Sequence, residues 1–239
     1  PNFTSIDSRY HNRSLFWKLW GFNLYINSST PALSLIGIMD FTIPSSMASV
    51  TNGAQGKAIH VTANSSISDL SVFGIGVANN GGGTDGQEYT FPSISISPGE
   101  HILVARDTVA MSAYFDSCFS FFDYVLLASS SISQNGDDAI ELFENGLVIE
   151  TFGDINVDGT GQPWEYLDSW AFKDNSAVWT YGGVNCTDGS TSSQTSNCPY
   201  PVCAVLPPPL SYNVTLSVNT ANISVGPNGM YAGGGILGD

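Results

Sequence analysis

Basic residues are scarce in this chain: 6 Lys and Arg stand against 21 Asp and Glu, a formal charge of -15 over 239 residues. Nucleic-acid binding depends on cations that displace condensed counterions, so this balance excludes nucleic acid as a partner. An anionic membrane surface repels the chain for the same reason. Charge of either sign is sparse, at 11% of residues, where an ordinary globular protein has about a quarter. Solubility must come from Ser, Thr, Asn and Gly, a composition that suits an extracellular β protein. Long apolar runs are missing as well. The greasiest stretch, residues 14–44, is interrupted by Lys18, Asn23, Asn27 and Asp40, and nothing approaches the ~18 residues of a membrane-crossing helix.

Catalytic signatures are also missing. No G-x-S-x-G elbow, H-E-x-x-H or Cys/His nucleophile pattern occurs. Paired carboxylates for glycoside hydrolysis cannot be singled out, because 21 acids offer too many pairs. His60 and His101 both fall in strand-like runs, which reads as packing or edge placement rather than as general bases. Gly74-Ile75-Gly76 has the look of a nucleotide loop, but it lies inside a strand-like run with no helix after it.

Cysteine is sparse but paired in number. Cys118, Cys186, Cys198 and Cys203 allow three connectivities. Cys186 and Cys198 flank a Ser/Thr-rich loop and would close it, leaving Cys118 to join Cys203. No C-x-x-C pair or nearby His supports zinc, so disulfides and an oxidising compartment are expected. Seven Asn-x-Ser/Thr sequons, at Asn2, Asn12, Asn27, Asn64, Asn185, Asn213 and Asn222, point the same way. The chain opens on Pro1 rather than Met, which a cleaved secretory signal would explain. A secreted glycoprotein is the expectation.

What is present is strand pattern. Residues 32–44 form an extended apolar segment, and Lys57–Ala63 alternates with Ala58, His60 and Thr62 on one face. Residues 71–78, 89–97 and 101–106 follow, separated by NNGGGTDG and SPGE turn chemistry. Residues 138–143 and 147–152 flank Glu144-Asn145-Gly146, a hairpin signal. Two short helices are predicted, Thr108–Phe115 capped by Asp107, and Ser8–Trp20. The class is all-β: a β-sandwich with short helices and extended terminal segments. Residues 1–32 form an N-terminal extension, 33–205 the sandwich, 206–210 a Pro-rich linker, and 211–239 a C-terminal β segment. The last is too small to bury a core alone, so it docks on its own domain, begins a further module, or pairs with a neighbour.

The stretch GKAIHVTANSSISDLSVFGIGVANNGG, then YTFPSISISPGEHILVARD, then SISQNGDDAIELFENGLVIETFGD, resembles the lamin-tail domain of secreted microbial proteins. That resemblance implies an immunoglobulin-like sandwich serving as an extracellular scaffold, with no catalytic residues to carry over. No heptad pattern of a lamin rod accompanies it. NVTLSVNTANISVGPNGMYAGG resembles the opening strands of a starch-binding-type sandwich module.

One segment carries metal chemistry in its spacing. Asp154-Ile155-Asn156-Val157-Asp158-Gly159, with Glu165 at the twelfth position, fits D-x-[DN]-x-[DN]-G-x5-E. Calcium takes six to eight hard oxygens, here Asp154, Asn156 and Asp158, the Thr160 carbonyl, and both oxygens of Glu165. The flanks depart from the usual frame, since a strand precedes the loop and Pro163 stands where an exiting helix would begin. Asp85 and Glu88 form a second acidic loop whose spacing also fits a plain turn. Trp164, Tyr166, Trp170, Trp179 and Tyr181 suit either a sugar-stacking platform or the core, the commoner place for aromatics in a β protein.

Three functions follow as expectations, in this order. The first is a non-enzymatic subunit of an extracellular filament, a homo-polymer joined head-to-tail through terminal segments. The second is a carbohydrate-binding or adhesive module of a larger secreted protein or hydrolase. The third is a secreted hydrolase whose active residues no motif marks.

Overall fold

The computed structural model describes residues 30–48, 54–174 and 176–203, together with the backbone of one short antiparallel pair, β1 (Lys18–Leu19) and β2 (Phe22–Asn23). Strand β1 falls where the helix expected over Ser8–Trp20 should have ended, so that helix does not reach its predicted end. The rest of it lies outside the described residues. The chain divides into two compact units, Pro1–Ala204 and Val205–Asp239, and every described residue belongs to the first.

Ten further strands build two sheets. They are β3 (Leu33–Asp40), β4 (Lys57–Ala63), β5 (Phe73–Ala78), β6 (Tyr89–Thr90), β7 (His101–Ala105), β8 (Tyr124–Leu127), β9 (Ala139–Glu144), β10 (Leu147–Phe152), β11 (Ser169–Lys173) and β12 (Trp179–Tyr181). One sheet has the order β12-β11-β3-β4-β7-β8, the other β10-β9-β5-β6. All pairings are antiparallel except β7–β8, whose crossover contains the helix α1 (Thr108–Phe115). The fold is mostly β, as the turn-punctuated pattern implied.

Alternation sets the layers. Ile59, Val61 and Ala63 of β4 and Ile102 and Val104 of β7 face the space between the sheets. There they meet Phe73, Ile75 and Val77 of β5 and Ile140 and Leu142 of β9. The opposite face of the six-stranded sheet is buried too. Met39, Ala58, Leu103 and Ala105 pack there against Met111, Tyr114 and Phe115 of α1 and against Tyr200. Burial on both faces explains why β3 reads as a continuous apolar run rather than an alternating one. A bulge at Ile36 lets Leu35 and Ile38 both face the first core.

Local signals were obeyed where they were strong. Asp107 caps α1, accepting from the amides of Val109 and Ala110 at 3.0 and 2.9 Å. Asn145 and Gly146 both have positive φ, 52° and 76°, as a two-residue I′ hairpin requires. The strand expected over residues 89–97 stops at Thr90. Pro92 has no N–H to give a ladder, and its carbonyl accepts from the Ile94 amide in a tight turn. Strands β8, β11 and β12 were not read from sequence.

The two disulfides join Cys118 to Cys203 and Cys186 to Cys198. The sequence reading paired them the same way. Both clamp the C-terminal segment onto the second core, to which Cys198 and Cys203 belong. No described helix is long and apolar enough to cross a membrane.

Candidate functional site

Because β4 alternates, His60 projects from the same face as Ala58 and Thr62, beneath the C-terminal segment. It is fully buried. Its Nδ1 lies 2.9 Å from the Tyr200 hydroxyl, and its Nε2 lies 2.9 Å from Nδ1 of His101 on the neighbouring strand β7. Tyr200 reaches His60 only because residue 37 is glycine: a Cβ there would stand 1.8 Å from the Tyr200 hydroxyl oxygen.

The proton positions in this chain follow from elimination. Tyr200 is completely buried, and His60 is the one hydrogen-bond partner of its hydroxyl among the described residues. If His60 donated to it, the tyrosine proton would be left without an acceptor, at a cost of about 1–3 kcal/mol. Tyr200 therefore donates to His60 Nδ1, His60 Nε2–H donates to His101 Nδ1, and His101 carries its remaining proton on Nε2. The lone pair of each of these two imidazoles already accepts a hydrogen bond. Burial holds the pKa of His60 well below the ordinary imidazole value, with a smaller contribution from His101. Burial also lowers that of His101, against the pull of Asp123. The pair is thus neutral, with no lone pair available as a base or a metal ligand, and it offers one N–H donor.

His101 lines a cleft of about 470 Å3, together with Ile36, Thr62, Asn64, Phe121, Phe172 and Lys173. Phe121 stacks on His101 with centroids 4.5 Å apart. Phe172 and Phe122 back the buried imidazole of His60. Lys173 does not present a free charge: it is ion-paired to Glu150 of β10 and lies over the Trp179 ring at 5.5 Å. The other oxygen of Glu150 accepts the Leu35 amide at 2.9 Å, so this carboxylate ties β10 to the bulge in β3.

No protein-family model, curated protein or solved structure matches the chain.

In the acidic loop expected to hold calcium, the carboxylates accept local backbone amides. Asp154 accepts from the Asn156 amide, Asp158 from the Thr160 amide, and Glu165 from the Gly161 amide, at 2.9, 2.9 and 2.7 Å. The Thr160 hydroxyl turns to Asp137. These side chains cap their own turns, and among the described residues no three carboxylate, imidazole or thiolate groups come together as a metal site. Gly159 is needed for packing: a Cβ would meet the Trp164 ring at 2.6 Å and the Asp137 carbonyl oxygen at 2.5 Å.

In the second acidic loop, Glu88 accepts the Val77 amide and Asp85 the Asn79 side chain. Gly74 and Gly76 lie in β5, where their missing side chains let Gln87 and Gly86 pack against the strand. Of the five aromatics, Tyr166 and Trp170 are buried, and Trp164 and Trp179 pack partly buried against the first core. Only Tyr181 among them is exposed.

Asn64 and Asn185 are exposed sequon positions. Asn64 donates to the Pro31 carbonyl and to Ser34. Asn2, Asn12, Asn27, Asn213 and Asn222 lie outside the described residues. Phe121 and Phe172, which line the cleft, and Tyr200, which holds His60, are marked by no local motif in the sequence.

A last surface is built by the crossover. Strand β8 is an edge of the six-stranded sheet. Beside it lies a groove of about 590 Å3 lined by Thr108, Val109, Ser112, Ala113, Phe119 and Val125. Leu127 at the end of β8 is 62% exposed and Val109 59%.

Proposed function

We propose that the chain is a non-enzymatic structural subunit of an extracellular glycoprotein assembly, its copies joined head-to-tail by a terminal segment of one adding a strand to β8 of the next. The edge of β8 carries this reading. Natural edge strands are guarded by Lys, Pro, bulges or cover. Tyr124-Val125-Leu126-Leu127 has neither charge nor Pro, and an apolar groove runs beside it. The comparable edge strand β10 is guarded by Glu150, which is paired to Lys173 and bound to the β3 bulge.

The inserting strand is found in the sequence. Tyr212-Asn213-Val214-Thr215-Leu216-Ser217-Val218 alternates apolar with polar, and no charged residue occurs from Ala204 to Gly238. Such a strand would give its backbone to the edge and Val214, Leu216 and Val218 to the groove. Pro207-Pro208-Pro209 is a stiff spacer that favours reaching a neighbour over turning straight back. A head-to-tail contact of this kind propagates into a filament unless a ring closes.

The same reading takes the two sheets as the immunoglobulin-like sandwich of a lamin-tail domain. Two disulfides and the lack of a membrane-crossing helix among the described residues are compatible with secretion. Calcium at Asp154, Asn156, Asp158, Thr160 and Glu165 stays a proposal carried by spacing, and it requires those side chains to exchange or share their turn hydrogen bonds.

The test is truncation. Removing residues 211–239 should leave a monomer in light scattering, as should Leu127→Lys, which blocks the edge without touching the core. A truncated protein that keeps the parent's oligomeric state refutes the reading.

A further inference from the structure

The histidine cleft has no part in strand addition, yet it is a built feature. Gly37, Tyr200 and His60 are arranged in depth, and their combined effect is to fix one N–H donor on His101. The chemistry of the walls narrows what fits. A metal ion is excluded, because no imidazole lone pair is free. A phosphate or other strong anion is disfavoured, since Lys173, the cation in the wall, is already neutralised by Glu150, and the chain carries -15 overall. A purely apolar ligand seated against His101 would leave its N–H without an acceptor. What remains is a neutral ligand with a strong acceptor on one side and a C–H face on the other.

Phe121, 39% exposed and stacked beside His101, supplies a ring for that C–H face. The cleft volume of about 470 Å3 lies within the ~300–1,000 Å3 range of small-ligand pockets. Asn64, a sequon residue, stands in the lining itself. A glycan attached there would hold its first N-acetylglucosamine at the cleft, at the millimolar or higher effective concentration of a short tether. Glycosylated Asn64 keeps one amide N–H, so one of its two bonds to Pro31 and Ser34 survives.

We propose that this cleft is a saccharide subsite for an N-acetylated pyranose. The acetamide carbonyl accepts from His101 Nε2–H, and the sugar ring rests on Phe121. The sugar comes either from the glycan on Asn64 or from a free glycan, and the chemistry is the same.

Two arms separate the sources, both on the full chain. In the first, protein secreted from a eukaryotic host is digested for glycopeptide mass spectrometry, and the His101 ring resonances are compared before and after peptide-N-glycosidase removes the whole glycan, with unglycosylated Asn64→Asp as the reference for the aspartate that this release leaves. The expected result is an occupied Asn64, slower trimming there than at Asn185, and a shift of His101 on release. In the second, unglycosylated protein is titrated with N-acetylglucosamine and with glucose. N-acetylglucosamine should move the His101 resonances with a millimolar Kd, and glucose should bind at least several-fold more weakly. Phe121→Ala should weaken binding about ten-fold while the folded protein persists at the titration temperature, which its melting curve checks. A response in the first arm alone assigns the cleft to the chain's own glycan, and a response in the second alone assigns it to an external one. If His101 responds in neither arm, or if Phe121→Ala and His101→Ala bind N-acetylglucosamine in calorimetry as the parent does, the proposal is overturned.

Discussion

Gly37→Ala tests the contact on which the buried hydrogen-bond chain depends. The φ of Gly37 is not in the left-handed region, so alanine brings no backbone strain there and any effect is steric. Its Cβ would lie 1.8 Å from the Tyr200 hydroxyl oxygen, 3.0 Å from Tyr200 Cζ and 3.3 Å from His60 Cβ. Tyr200 cannot step aside freely, because its ring is enclosed by Phe41, Phe115, Trp170 and Phe172 at centroid separations of 5.5 to 6.2 Å. Overpacking of this kind costs about 1–3 kcal/mol, and displacing the hydroxyl from His60 adds roughly 1 kcal/mol. A loss of about 3 kcal/mol corresponds to a melting temperature lower by roughly 6–12 °C for a domain of this size.

Tyr200→Phe removes the clashing atom and is expected to cost about 1–2 kcal/mol alone, since it strips His60 Nδ1 of its donor. In that background Gly37→Ala should cost at least ~1 kcal/mol less than it does in the parent, a coupling that a double-mutant cycle by chemical denaturation reads directly. A neutral Gly37→Ala, or a penalty equal in both backgrounds, refutes the reasoning.

The disulfides should differ in weight: by loop-closure entropy, removing Cys118–Cys203, with a separation of 85 residues, costs about 4.6 kcal/mol, and removing Cys186–Cys198, separation 12, about 2.8 kcal/mol. Denaturation of the Cys→Ser pairs checks the order, although the loops are nested and the losses will not add. Acid should destabilise through the histidines: their folded pKa values lie below the ordinary 6.5, so the stability they contribute is full above about pH 6.5. It falls as pH drops toward the folded values, by up to about 1.4 kcal/mol per pH unit for each ring. Melting curves from pH 7 to 5 should show this slope, and His101→Gln should reduce it. Asp40 and Asp138, whose pKa values are raised mainly by burial, act oppositely, gaining stability as pH falls toward 3.8. Calcium at the Asp154 loop should raise the melting temperature, by about 2.7 kcal/mol equivalent at a hundred-fold excess over Kd, and an unchanged curve in excess chelator removes that proposal. Asp107→Ala should cost about 1 kcal/mol through loss of two capping bonds.

The features legible in sequence were those written in a few adjacent residues. Asp107 before an apolar run, Asn145-Gly146 between alternating strands, and the two faces of β4 each rest on local geometry. The alternation even placed His60 on the correct face. Its partners were not legible, because Gly37, His101 and Tyr200 meet it through strand order and a disulfide-held segment rather than through spacing. Strand β8 was missed because its four residues follow an irregular 3-10 segment, Asp116–Phe121, with no alternation to mark it. The Asp154 loop shows the converse: its spacing matches a calcium motif, while its hydrogen bonds are those of ordinary Asx turns.

The Cys118–Cys203 bond also decides how the domain would bear mechanical tension. A pull entering the chain at Cys203 passes through sulfur to Cys118, in the segment between α1 and β8. Residues 119–202, which hold β8 to β12, are thereby taken out of the load path. The force falls instead on β3 to β7, among them β3, β4 and β7, the antiparallel interior of the six-stranded sheet, whose ladders must break together. Reduction of that one bond, together with Cys186–Cys198, exposes β12, an edge strand of three residues, to be peeled first.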